Sequence, residues 1–140
     1  MNVPESRKFR LDETVEGLIS IRWAPNVRVE ETDAWQLIAR VQRRFQAEET
    51  YLLIHLSAIA SASRRAMTVC GAELHAQMVA TVGSSPVEQM LVDFYQRVYQ
   101  PSYPVGYFST ISGARDWLLG GRELRRTTSF STTNSASVPS

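Results

Sequence analysis

One cysteine, one lysine-bearing position and two histidines in 140 residues leave little room for chemistry built on those side chains. With Cys70 alone, no intrachain disulfide can form and a four-cysteine zinc site is excluded, which fits a reducing, cytoplasmic setting. His55 and His75 have no metal-ligand spacing to each other or to Cys70, so both are expected to be structural and neither a metal nor a cofactor is expected. No apolar stretch reaches membrane-spanning length, and the polar opening from Met1 to Arg10 lacks the apolar core of a signal peptide. Neither membrane insertion nor export is expected. The formal net charge of +1 gives no overall attraction to nucleic acid or anionic lipid, so no nucleic-acid partner is expected. Lys8 is the only lysine among 15 basic residues, a compositional bias given no functional weight.

What is present is the composition of an ordinary globular domain, 44% hydrophobic and 21% charged, in a chain long enough to bury one core. Alternating Phe9 and Leu11, a turn near Glu16-Gly17, then Leu18, Ile19, Ile21 and Trp23 predict an N-terminal β-hairpin closed by Ala24-Pro25-Asn26. Ala34, Leu37, Ile38, Val41 and Phe45 recur at helical spacing, with Asp33 placed for the helix dipole. Tyr51 to Leu56 is nearly continuous apolar sequence of strand length, the pattern of a central strand. Ser61 or Ser63 can cap a second helix through Ala66, Met67, Val69 and Cys70, fading near Gly71, before a strand from Gln77 to Val82.

Ser85-Pro86-Val87-Glu88 is the strongest local signal. It combines a serine N-cap, proline in the first helical position and a glutamate placed to complete a capping box. The helix carries an apolar stripe of Val87, Met90, Leu91, Phe94 and Val98 and stops at Pro101 and Pro104. Val105, Tyr107 and Phe108 predict a strand. Ser109 or Thr110 then caps a last helix that directs Ala114, Trp117 and Leu118 to the core and ends at Gly120-Gly121. The expected organisation is one domain over residues 1–121 and a disordered polar tail over 122–140. The fold class is α/β: a mixed sheet opened by a hairpin, in the order ββαβαβαβα, with helices mainly on one face because right-handed crossovers travelling one way share a face.

That order, with Val82-Gly83-Ser84-Ser85-Pro86-Val87, Asp93-Phe94-Tyr95, Gln100-Pro101-Ser102-Tyr103-Pro104-Val105, Phe108, Trp117-Leu118 and Trp23-Ala24-Pro25, resembles the STAS/SpoIIAA-like superfamily. The resemblance is closest to a branch of small bacterial proteins of unknown function. Phosphorylatable members carry Asp-x-Ser at a strand end and Asp-Ser-Ser-Gly at the following helix start. At those places this chain has His55, Ser57, Ser63 and Arg64-Arg65-Ala66. The switch serine is not matched without a gap.

Ser57, Ser61, Ser63, Arg64 and Arg65 therefore form the candidate partner or anion site, since ligands gather at strand carboxyl ends in α/β folds. The competing explanation is a serine cap and solvated arginines. Cys70 reads as core, and Asp33, Glu73, Glu88 and Asp93 fit helix faces or caps, so no catalytic residue is assigned. Arg125-Arg126-Thr127-Thr128-Ser129 resembles a common kinase-substrate pattern. Tyr95, Tyr99, Tyr103 and Tyr107 suggest either an aromatic surface for a second copy or a helix-end packing cluster. The resemblance implies a non-enzymatic regulatory or protein-interaction module with a protein partner. Homodimerisation is an expectation for such a domain, and the alternative is a domain that binds a small apolar ligand or lipid.

Overall fold

The protein is described by a computed structural model covering residues 8–56 and 59–137, with side chains described as far as Arg126. The elements are β1 (Phe9–Glu13), β2 (Ile19–Trp23), β3 (Arg28–Val29), α1 (Glu31–Arg44), a 3-10 turn (Ala47–Glu49), β4 (Tyr51–His55), β5 (Ser61–Ala62), α2 (Arg64–Glu73), β6 (Met78–Val82), α3 (Pro86–Tyr99), β7 (Val105–Phe108) and α4 (Ile111–Ser137).

The main sheet has the order β1-β2-β4-β6-β7. Only β1 and β2 are antiparallel, Leu11 opposite Ile21, and β2, β4, β6 and β7 are parallel neighbours. Gly17, at φ 87°, makes the hairpin turn, where a side chain would be strained. Each parallel step moves the chain across the sheet in one direction, so right-handed crossovers place α1, α2 and α3 on one face. Ile19, Ile21, Leu52 and Val79 face these helices and share a core with Ala34, Leu37, Ile38, Val41, Val69 and Val92.

Alternation sends Tyr51, Leu53, Met78 and Ala80 to the opposite face, where they meet Leu18, Ala114 and Leu118. α4 follows the last strand and is not a crossover, so handedness does not bind it to the first face. It covers the one left open. The expected single-faced arrangement thus holds for α1 to α3, while α4 supplies the second layer because β4 and β6 are apolar on both sides.

Two expectations are corrected. Gly120-Gly121 does not end α4, which continues to Ser137. A Cβ on Gly121 would run into the Met78 thioether, so this glycine lets the helix lie close on β6. Arg122 donates to the Glu16 carbonyl at 2.7 Å, and Arg125 donates to Gln77 Oε1 at 3.0 Å and to its carbonyl at 3.2 Å. The boundary at 121 is therefore too early, and residues 122–126 belong with the domain. Of the expected disordered tail, 127–137 continue the helix without described side chains, and 138–140 lie outside the described residues, as does the chemistry of the Thr127-Thr128-Ser129 pattern.

The second correction concerns α3. Its start is as predicted: Ser85 Oγ accepts from the Glu88 amide at 3.1 Å, and Glu88 Oε1 accepts from the amides of Ser84 at 2.8 Å and Ser85 at 3.2 Å. Its end is Gln100 in the left-handed region before Pro101. Its apolar stripe, however, is largely outside. Val87 is 74% exposed and Met90 69%, with Phe94 and Val98 exposed as well, while Glu88 and Val92 are buried.

Candidate functional site

β3 and β5, two residues each and not evident in the sequence, pair in parallel beside the main sheet and hold the segment that leads into α2. The Ala60 amide donates to the Val27 carbonyl at 2.8 Å and the Ser63 amide to the Val29 carbonyl at 2.9 Å. Ser63 then caps α2, its hydroxyl accepting from the Ala66 amide at 3.0 Å. Ser63 is thus tied into a ladder by its amide and into a cap by its hydroxyl. Arg64 is exposed, and Arg65 approaches Glu31 at 3.8 Å with both side chains in solvent, a pair worth little. Ser61 is exposed in β5, and Ser57 lies outside the described residues. Ser61, Ser63, Arg64 and Arg65 are brought together at one helix start, as expected. None points into an enclosed site.

A pocket that is partly open to solvent lies beneath them. Between the sheet and α1, α2 and α3 lies a cavity of about 130 Å³. Trp23, Leu37 and Val79 form its floor and back. Ala66, Met67 and Cys70 come from α2, Leu91, Val92 and Tyr95 from α3, and Ile59 and Ala62 from the segment before α2. The half-buried Ile59, Ala62, Leu91 and Tyr95 mark the side on which it approaches solvent. At their C-terminal ends α2 and α3 come close, a Cβ on Gly71 falling 3.3 Å from Tyr99 Cβ. At the N-terminal end the exposed α3 stripe continues outward from Leu91. Three lining hydroxyls interrupt the apolar wall. Tyr95 and Tyr103 oxygens are 2.6 Å apart, Tyr103 donates to the Cys70 carbonyl at 3.2 Å, and Thr81 donates to the Gly106 carbonyl at 2.7 Å.

Of the two tyrosine readings, this geometry favours the helix-end packing cluster. Tyr103 is buried, Tyr95 is half-buried and stacks on Tyr99 with ring centres 6.0 Å apart, and Tyr107 donates to the Ser85 carbonyl. They form a helix-end cluster whose inner members line the cavity. Burial pushes the hydroxyl pKa values of both Tyr95 and Tyr103 well above the usual phenol range, so both stay protonated. Burial also pushes the Cys70 thiol up to about 11, which leaves it unreactive at neutral pH.

His55 lies on the α4 side of β4, buried, with Arg22 opposite it on β2. Desolvation, then the Arg22 charge, lowers its pKa below the ordinary value of 6.5, so the folded chain holds it neutral. Because the unfolded chain binds this proton more readily, its contribution to stability is full above pH 6.5 and is lost as pH falls toward the folded value. Wild-type unfolding free energy is therefore expected to drop between pH 7.5 and 5.5 more than that of His55→Gln, with a slope for one proton no steeper than about 1.4 kcal/mol per pH unit. Equal pH dependence in the two proteins would contradict the assignment. Asp33 is also structural, accepting from the Glu30 amide at 2.7 Å and from Lys8 Nζ at 2.8 Å. Among the described residues, no group of three or more His, Cys, Asp and Glu side chains is arranged to hold a metal ion, and no helix is long and apolar enough to cross a membrane.

Ser61, Ser63, Arg64 and Arg65 are not among the residues that line this pocket, and sequence reasoning missed those that are. The signal for the interior was present in the small residues Ala62 and Ala66 and in the spacing of Leu91 and Tyr95. Those positions also read as ordinary core, because a void is a property of how three helices sit on a sheet.

Comparison with known proteins follows the same lines. A search of curated proteins finds no match. An uncharacterized DUF3478-family protein with a SpoIIAA-like fold from Shewanella loihica PV-4 is similar in structure, with a TM-score of 0.56, 13% identity, and coverage of 79% of this chain and 91% of that one. At that identity the likeness concerns the fold, which is SpoIIAA-like here too. The profile described as Domain of unknown function (DUF7793) matches residues 13–120, from the end of β1 into α4. The chain therefore belongs to the DUF7793 family.

Proposed function

We propose that this chain is a binding domain for a small apolar molecule, which it holds in the cavity between the sheet and α1 to α3. The observation that carries the reading is the cavity itself, about 130 Å³ and lined almost wholly by apolar side chains. An apolar cavity of about 150 Å³ stays dry and takes up benzene, so this one suits a single ring or a short aliphatic chain. The side chains that chemistry would need are otherwise engaged: Ser63 caps α2, Glu88 and Asp33 hold helix starts, and the Cys70 thiol stays protonated. The action is therefore binding, in keeping with the regulatory role that the SpoIIAA-like fold suggested from sequence.

Toluene is expected to raise the melting temperature of the wild-type chain in a concentration-dependent way, since a ligand at 100 times its Kd adds about 2.7 kcal/mol. Ala66→Phe, which fills the cavity from α2, is expected to abolish that rise. No shift with toluene at saturation would overturn the reading.

A second reading, recognition of a protein, has its own observation: Val87, Met90, Phe94 and Val98 leave one side of α3 apolar and exposed. Such a face would also serve homodimerisation. Light scattering across a concentration series reads this directly. A dimer that Phe94→Asp converts to monomer supports a homodimer, whereas a monomer throughout removes it.

A further inference from the structure

The cavity wall has a hydrogen-bonding polarity that follows from proton counting. A hydroxyl has one proton to donate and two lone pairs to accept with. Thr81 spends its proton on the Gly106 carbonyl at 2.7 Å. A carbonyl can only accept, so the 3.2 Å contact of Tyr103 with the Cys70 carbonyl uses the Tyr103 proton. The 2.6 Å contact between the two tyrosines must then use the proton of Tyr95. All three hydroxyl protons on the wall are committed within the protein. The Tyr95 oxygen stands at the head of the chain, donating onward and receiving nothing from it.

No lining side chain is charged, so the wall offers no cation and no free hydroxyl donor to an anion. Cys70 adds a weak S–H donor and Trp23 an indole N–H. A carboxylate placed there would give up its hydration with no cation to replace it, and a ligand oxygen that only accepts would meet no hydroxyl proton. A ligand with an O–H or N–H group meets the open lone pairs of Tyr95.

Resting on the apolar-ligand reading above, we infer that the cavity selects neutral, single-ring or short-chain molecules that donate one hydrogen bond to the Tyr95 oxygen, and that it discriminates against carboxylates. The ligand class is that of phenols, indole-like N–H rings and small alcohols.

Calorimetric titration of the wild-type chain with phenol, toluene and benzoate tests this. Phenol should bind about five- to tenfold more tightly than toluene, the worth of one net hydrogen bond, and benzoate should not bind measurably. In Tyr95→Phe, the ratio of phenol to toluene affinity should fall to about one, with toluene binding still measurable. Tyr103→Phe releases the Tyr95 proton into the cavity and should strengthen binding of benzaldehyde, which only accepts. Phenol binding no better than toluene in the wild type, a phenol preference that survives in Tyr95→Phe, or benzoate binding as tightly as phenol would each overturn the inference and leave the apolar-ligand reading standing. Failure of toluene and phenol alike would overturn both.

Discussion

Leu118→Ala is expected to lower the unfolding free energy by about 3 kcal/mol, within the 2–5 kcal/mol typical of a buried leucine truncated to alanine. Leu118 is 0% exposed and, with Ala114, holds α4 against Leu18, Tyr51, Leu53, Met78 and Ala80. Removing three carbons there leaves a void between a helix and a sheet whose positions are fixed by other contacts, so collapse into it is limited. Against a total stability of about 5–15 kcal/mol, such a loss is a large share. Urea denaturation of the variant beside Leu124→Ala gives the comparison, because Leu124 lies six residues along the same helix and is 65% exposed. The control should lose less than about 0.5 kcal/mol. Equal losses in the two variants would mean that α4 does not cover the second face of the sheet.

The other large effect is expected at Glu88, a carboxylate only 4% exposed inside the sheet-to-α3 connection. Its Oε1 takes the amides of both Ser84 and Ser85, and its backbone amide is itself capped by Ser85. Glu88→Ala removes the acceptor from two donors at once and should cost about 2–3 kcal/mol, the sum of a lost cap and buried amides left without a partner. Glu88→Gln keeps a carbonyl oxygen at the same reach and should recover at least half of that loss, as measured by the same denaturation. If the glutamine and alanine variants were equally destabilised, the negative charge rather than the acceptor geometry would be responsible. Gly83→Ala should approach the alanine phenotype, because the added Cβ would meet the Glu88 carboxylate and lie 2.8 Å from the Tyr107 hydroxyl.

These two sites show what kind of information lies in the chain. Glu88 was legible as a capping residue from Ser85-Pro86-Val87-Glu88 because a capping box is closed by residues three apart, and its hydrogen bonds are local. Ser63 was legible for the same reason, as the start of α2. The continuous apolar run from Tyr51 to Leu56 likewise announced an interior strand covered on at least one face, and the structure covers both. The parallel β4-β6-β7 order with α1 to α3 on one face follows from crossover handedness once the element order is known. The role of Leu118 was half legible: its helical spacing marked it as core, but not which face of the sheet it would cover.

The sequence by itself therefore determined the order of the main-sheet strands and helices, the caps and the core periodicity, since each depends on residues a few positions apart or on a handedness that all chains share, while the SpoIIAA-like class came from a resemblance. Tertiary structure alone decided the rest. The stripe of Val87, Met90, Phe94 and Val98 has a helical period whichever way it faces, and only the placement of Glu88 and Val92 beneath α3 turned it outward. Gly120-Gly121 reads as a stop until Met78 is seen lying against Gly121, where a missing side chain allows close approach and the helix runs on. Packing of α1, α2 and α3 over the sheet left the cavity open, and the fold brought the Tyr95 and Tyr103 hydroxyls to 2.6 Å from each other on its wall. Both depend on distances between segments far apart in the chain, which a one-dimensional pattern does not carry.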